Sequence, residues 1–363
     1  MTKRLSALFI VFITLITSCQ NESNKINTNE VNNFEIAIVD SFKISNSEDL
    51  ILDKVRDIPV LNHDETKIAW INEDRWEVFI TNLNGDYITS FGSTGSGPEE
   101  FQEIAALGFD QNDNIVVFDV LLDKFKIFNL DGELMHLFEG TLEDDLWVRS
   151  RRIYIDEESI YLGIQESDKA SESNHWKSAT IAEYSLTDGR FKRAFGEFDP
   201  SLSGSSRLYN DANIVTDKGH GLIFTTHRTS PYIQAIDIKT GEVTKRFGVQ
   251  TENFNYAEDA ARIEDPMHVR HEKNLHQSFT GESFTSNEFF YHQHYRINDD
   301  VLRFGDPFHK TPYLNIYSIK GSFQFIAEVK LDYSPLFVTS EGKIYLLKDN
   351  DPENFTVNVY ELL

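Results

Sequence analysis

Six short apolar strands, each behind an acidic or glycine turn and spaced 45 to 67 residues apart, predict an all-β chain folded as a six-bladed β-propeller with four antiparallel strands per blade. Two further observations point the same way. A hairpin recurs in which a turn glycine precedes a closing phenylalanine by six residues. The last unit runs out of chain after its third strand, while an unassigned strand stands before the first unit.

The order of elements begins at the N-terminus. Lys3 and Arg4 precede an apolar run from Leu5 to Ile16, too short to span a bilayer and of the length of a signal-peptide core. Ile16-Thr17-Ser18-Cys19 resembles the bacterial lipobox, in which the cysteine takes a diacylglyceryl group and becomes the new N-terminus. Cys19 is the only cysteine of the chain. Residues 1–18 are therefore expected to be a lipoprotein signal peptide and Cys19 the lipidation site. Residues 19–33 are polar and aperiodic, and their composition predicts a flexible tether with a span of roughly 20 Å. Gln20 is not the aspartate that resembles inner-membrane retention, so an exported cell-envelope lipoprotein of the outer membrane is the expected address, ahead of the inner membrane.

Residues 34–363 carry the propeller. The second strands of the units start at Ile68, Ile115, Ile160, Leu222, Phe289 and Ile344, with intervals of 47, 45, 62, 67 and 55 residues. The outer hairpins read "VFITNLNGDYITSFG", "FKIFNLDGELMHLFEG", "IAEYSLTDGRFKRAFG" and "IQAIDIKTGEVTKRFG". A fifth, "LNIYSIKGSFQFIAEV", keeps Gly321 but puts Ala327 where the phenylalanine belongs. Alternation rich in aromatic and β-branched residues suits half-buried strands. Because the sixth unit lacks an outer strand, "FEIAIVDSFKI" (34–44) is expected to pair with "TVNVYEL" and close the ring, removing an open edge.

The run Gly95-Ser96-Gly97-Pro98-Glu99-Glu100-Phe101, followed by "DQNDNIVVFD" and "KFKIFNLDGE", resembles the NHL-like repeats of the six-bladed propeller superfamily, including the bacterial envelope lipoproteins of that shape. The resemblance covers roughly residues 34–363. Propellers of this kind include both binding modules and enzymes, so it implies a fold and not an activity. The glycine loop lacks a G-K-[S/T] ending and leads into a strand, not a helix, which argues against a phosphate cradle. It is expected to be a joint between blades one and two, with Phe101 wedged between them.

Charge narrows the partners. With 59 acidic and 34 basic residues the net charge is −25, and loss of residues 1–18 takes it to −27. A nucleic-acid partner is excluded on that ground, since phosphate backbones need clustered cations. Connections between strands one and two, and three and four, are short. The others are long, which places elaborate loops on one face around the channel mouth, where binding residues usually lie. Arg149, Arg151, Arg152, Arg207 and Arg270 gather there, with Arg262 and Lys273, and form a candidate ring for an anionic carbohydrate or carboxylate. His227 and Arg228 occupy the corresponding connection of blade four, and Trp76 and Trp176 are candidate sugar-stacking platforms. In "YHQHYR", His292 and His294 stand two apart and so on one side of a strand, a spacing that suits a divalent metal.

No G-x-S-x-G, H-E-x-x-H or cysteine nucleophile is present, and catalytic residues cannot be chosen from sequence. The reading that results is a membrane-tethered module binding a small molecule, a glycan or an envelope protein on its long-loop face. The alternative is a lactonase-like or lyase-like propeller enzyme with a metal at the channel mouth.

Overall fold

The computed structural model describes residues 34–140, 146–148, 151–166, 178–202, 212–217, 219, 221–255, 266, 269, 278–296, 311–349 and 355–363. These form six antiparallel sheets arranged as blades in a ring. Strand β1 (Ile36–Ile44) comes first. Blade one follows with β2 (Val60–Leu61), β3 (Lys67–Asn72), β4 (Glu77–Asn82) and β5 (Tyr87–Phe91). Blade two holds β6 (Ile104–Phe109), β7 (Ile115–Asp119), β8 (Lys124–Phe128) and β9 (Leu134–Glu139). In blade three the innermost strand is split. Both β10 (Leu146–Val148) and β11 (Tyr154–Ile155) pair with β12 (Ser159–Glu166), which continues to β13 (Ile181–Ser185) and β14 (Phe191–Phe195). Blade four is β15 (Ala212–Asp217), β16 (Leu222–His227), β17 (Ile233–Asp237) and β18 (Val243–Phe247). Blade five is β19 (Ser278–Thr285), β20 (Phe289–Arg296), β21 (Thr311–Ser318) and β22 (Phe325–Lys330). Blade six has β23 (Pro335–Val338), β24 (Ile344–Asp349) and β25 (Phe355–Leu362). Its fourth, outer strand is β1, paired from Ile36 opposite Leu362 to Ile44 opposite Phe355 with a register shift between Ile38 and Asp40.

The recurring Gly-to-Phe interval has a packing reason. In the outer hairpins the turn glycine sits at positive φ, and a register shift follows in each third-to-fourth strand pairing of blades one to five. The glycine abuts the closing phenylalanine of the preceding blade. At Gly189 (φ +70°) an added Cβ would stand 2.5 Å from Cβ of Phe138, and at Gly241 it would stand 2.9 Å from Cβ of Phe195. Blade one shows what closes the circle: its turn, at Gly85, packs on Phe42 of β1, so β1 supplies blade six with the missing phenylalanine. Blade five departs from the rule. Nothing lies within 4 Å of a Cβ at Gly321, and Phe247 instead stacks on Phe323, with ring centroids 4.6 Å apart.

The glycine loop between β5 and β6 is a joint. Phe101 is fully buried in the cluster between blades one and two, with Val78, Ile80, Phe91, Val117 and Phe128. Lys126 is buried beside it and donates to the carbonyls of Gly97 (3.3 Å) and Glu100, with Asp119 at 3.9 Å. Asp119 accepts in turn from the amides of Gln102 (2.9 Å) and Leu122 (3.1 Å). A buried ammonium and carboxylate thus pin the loop, and each is matched by partners.

Candidate functional site

The first strands of the blades line the channel, and side chains divide it into two chambers. Toward the long-loop face, where these strands begin, a cavity of about 210 Å³ is lined by Asp57, Arg151, Asn213, Arg228, Thr280, Glu282, Gln293 and Tyr295, among others. Toward the short-turn face, where they end, a cavity of about 260 Å³ has mixed walls, with Val60, Phe109, Phe284 and Phe337 beside polar groups such as Glu65 and Asp110. Arg152 separates the two. It leaves blade three beside Leu107, crosses the axis, and donates to Glu282 Oε2 (3.1 Å) in blade five and to the Leu336 carbonyl (2.6 Å) in blade six. Its guanidinium carbon lies 4.9 Å from the ring centroid of Phe284. Burial lowers its pKa from the ordinary arginine value, with Glu282 and then Asp57 opposing.

Of the arginines expected at the mouth, Arg151 and Arg228 do meet in the polar chamber, whereas Arg152 lies beneath it on the wall of the other cavity. Arg152 is held by Glu282, and Arg228 lies over the ring of Phe279 at 5.2 Å. Arg151 is exposed and has no ion-pair partner among the described residues. Cys19, Arg149, Trp176, Arg207 and Arg270 lie outside the described residues. Trp76 differs from an open stacking platform. It is half-buried in the turn after β3, packs against the cluster between blades one and two, and has Arg56 4.8 Å over its ring.

The histidines are not at the channel mouth. All three, His227, His292 and His294, are fully buried between blades. His227 shares the face of Thr225 and Gln234 in blade four. Its Nε2 lies 3.3 Å from the amide of Asp199 and 3.4 Å from Gln234 Oε1. Burial drives its pKa down to about 4, the Asp199 carboxylate and Gln234 opposing. Nearby Asp199 is held below the usual carboxylate range: burial raises it, but the Arg246 guanidinium and the Ser201 hydroxyl outweigh that.

His292 and His294 project from β20 on the side of Phe290, which meets Phe224 of blade four at 4.8 Å. They therefore face blade four. His292 Nδ1 is 2.9 Å from Ser283 Oγ, and burial followed by the other two histidines takes its pKa down to about 3. His294 Nε2 is 2.9 Å from Glu328 Oε1, and its ring stacks on Tyr313. Glu328 also accepts from Thr251 and Asn253, and these bonds hold it below its ordinary pKa against the opposing effect of burial. Sequence spacing marked the two histidines, but it missed Arg152 as the channel divider and missed Ser283, Asn315 and Glu328. Glu328 stands opposite Asn315 across two strands, a pairing visible only once register is known.

The comparisons agree with this architecture. Residues 17–300 match the DUF5128 family, described as a 6-bladed beta-propeller. A member of the duf4221 family from Bacteroides vulgatus superposes with a TM-score of 0.67 at 10% identity, over 91% of this chain and 98% of that one. A putative exported protein from Bacteroides fragilis gives 0.60 at 9% identity, over 93% and 98%. No curated protein matches the chain. At such identities the likeness is one of fold.

Proposed function

The chain belongs to the DUF5128 family of 6-bladed beta-propellers, and within that fold we propose that it is an exported binding module for a small, carboxylate-bearing polar molecule. One observation carries the reading. The polar chamber draws side chains from five blades into about 210 Å³, and Arg151 stands exposed in it without an ion-pair partner among the described residues. That volume suits a molecule the size of a monosaccharide or amino acid and is below the usual range for larger ligands. A guanidinium fork matches a carboxylate. Around it, Asn213, Thr280, Gln293 and Tyr295 present amides and hydroxyls suited to a hydroxylated ligand.

Glucuronate against glucose is the test. Glucuronate should raise the melting temperature of the protein, glucose should raise it less, and Arg151→Ala should weaken glucuronate binding by at least tenfold, on the order of one charge-assisted hydrogen bond. An equal response to both sugars, or none to either, would overturn the reading. The address is a proposal as well: an acyl chain on Cys19, with residues 19–33 as the tether. The neighbour described as a putative exported protein supports export. Palmitate labelling that survives in Cys19→Ser would rule the anchor out.

A further inference from the structure

The buried face of blade five carries a chemistry that the channel does not use. Among the described residues, His292 Nε2, His294 Nδ1 and Asn315 Oδ1 are buried with no hydrogen-bond partner, while the Asn315 side chain also reaches the Tyr317 hydroxyl. Asn315 is the cross-strand partner of His292, so the three side chains share one face of adjacent strands. Thr226 Oγ1 is unpartnered as well. It stands two residues beyond Phe224, as His292 stands two beyond Phe290, and Phe224 and Phe290 are in contact, so Thr226 looks across at the same spot from blade four.

The partnered atoms matter as much as the unpartnered ones. Each imidazole is anchored through one nitrogen and offers the other. The hydroxyl of Ser283 fixes His292 through Nδ1, and the carboxylate of Glu328 fixes His294 through Nε2. A carboxylate or hydroxyl on the far nitrogen is the arrangement that orients an imidazole toward a metal and raises its basicity. Glu328 is also the only formally charged side chain of the cluster. Its partners are an imidazole, a hydroxyl and an amide, and among the described residues no Lys or Arg balances it.

We propose that the blade four–blade five interface is a closed site for one divalent transition-metal ion of the zinc class, with His292 Nε2 and His294 Nδ1 as nitrogen ligands and Asn315 Oδ1 as an oxygen ligand. Imidazole nitrogen selects this class over magnesium or calcium. Among the described residues no three His, Cys, Asp or Glu are grouped to hold a metal, so this site has only two ligands of those types and takes its third from an amide. Thr226 borders the site from blade four. Because all these side chains are fully buried, the site is structural: the ion is held by blade five where it meets blade four and does not meet a substrate.

The full chain, stripped with a chelator and titrated with Zn²⁺ against a chromophoric chelator, should take up one equivalent. His294→Ala and His292→Ala should each weaken uptake by roughly 10- to 100-fold, and Glu328→Gln by about tenfold through loss of orientation. Co²⁺ added to the stripped protein should give visible d–d bands that His294→Ala abolishes. Should a histidine variant misfold, Asn315→Leu and Glu328→Gln keep both imidazoles and must still lower affinity. No uptake by the wild type would overturn the proposal. So would uptake unchanged in these variants, which would assign the ion to other histidines.

Discussion

Two interfaces between neighbouring blades have opposite characters. Between blades one and two the contact is a continuous apolar cluster from Val60 to Phe128, and the buried Lys126 beside it is matched by the buried Asp119 and two carbonyls. Between blades four and five only the outer half is apolar, around Phe224, Phe247, Phe290 and Tyr317. The inner half is polar, and several of its atoms have no partner. A fold that needs only to hold its blades together gains most from the first kind of contact. Polar atoms left unmatched in a buried face lower stability, each by about 1–3 kcal/mol. The second interface therefore trades stability for a capacity to bind.

If the first interface is matched and the second is not, substitutions in the two should behave differently. Lys126→Met leaves Asp119 buried without its counter-charge and removes the clamp on the glycine loop, so urea unfolding should show a loss of about 3–5 kcal/mol. A loss below 1 kcal/mol would break the contrast from the matched side. His227 extends the contrast to the interface of blades three and four. Its folded pKa of about 4 lies below the ordinary 6.5, so the unfolded chain binds the proton first as pH falls. Its contribution is complete above pH 6.5 and is lost between 6.5 and 4, by up to about 3 kcal/mol at 1.4 kcal/mol per unit. Unfolding measured at pH 7 and pH 4.5 should therefore show a flatter dependence in His227→Gln.

The turn glycines sharpen the comparison at the outer rim. Gly189→Ala meets both a positive φ and Phe138, whereas Gly321→Ala meets the positive φ alone. The first should cost at least twice the second, which is expected at about 1–2 kcal/mol. The smallest effect is the most telling. In metal-free protein, Asn315→Leu replaces an amide whose oxygen has no partner by an apolar side chain of similar size, and stability should change by less than about 1 kcal/mol or rise. A loss as large as that of Lys126→Met would mean that the Asn315 amide is matched after all.

The rim was legible in the sequence because it is local. A turn glycine and a phenylalanine six residues on repeat in each of the first four blades, and Phe34 to Ile44 stands out as a strand without a sheet. The split inner strand of blade three was not legible, since β10 and β11 are defined only by their shared partner β12. The centre was partly legible. Spacing put His292 and His294 on one side of a strand, but it could not say whether that side faced the channel or the next blade. That choice depends on Phe290 meeting Phe224, residues 66 positions apart. Charge clustering marked Arg151, Arg152 and Arg228, yet the Glu282 that engages Arg152 lies 130 residues away, and nothing in either local sequence points to the other.

Anomalous diffraction from crystals of zinc-loaded protein, collected on both sides of the zinc edge, tests the contrast between the two interfaces most directly. The account predicts a single strong peak between blades four and five, within bonding distance of His292 Nε2 and His294 Nδ1, and none between blades one and two. Ordinary water density among Thr226, His292, His294 and Asn315, with no anomalous signal, would contradict it.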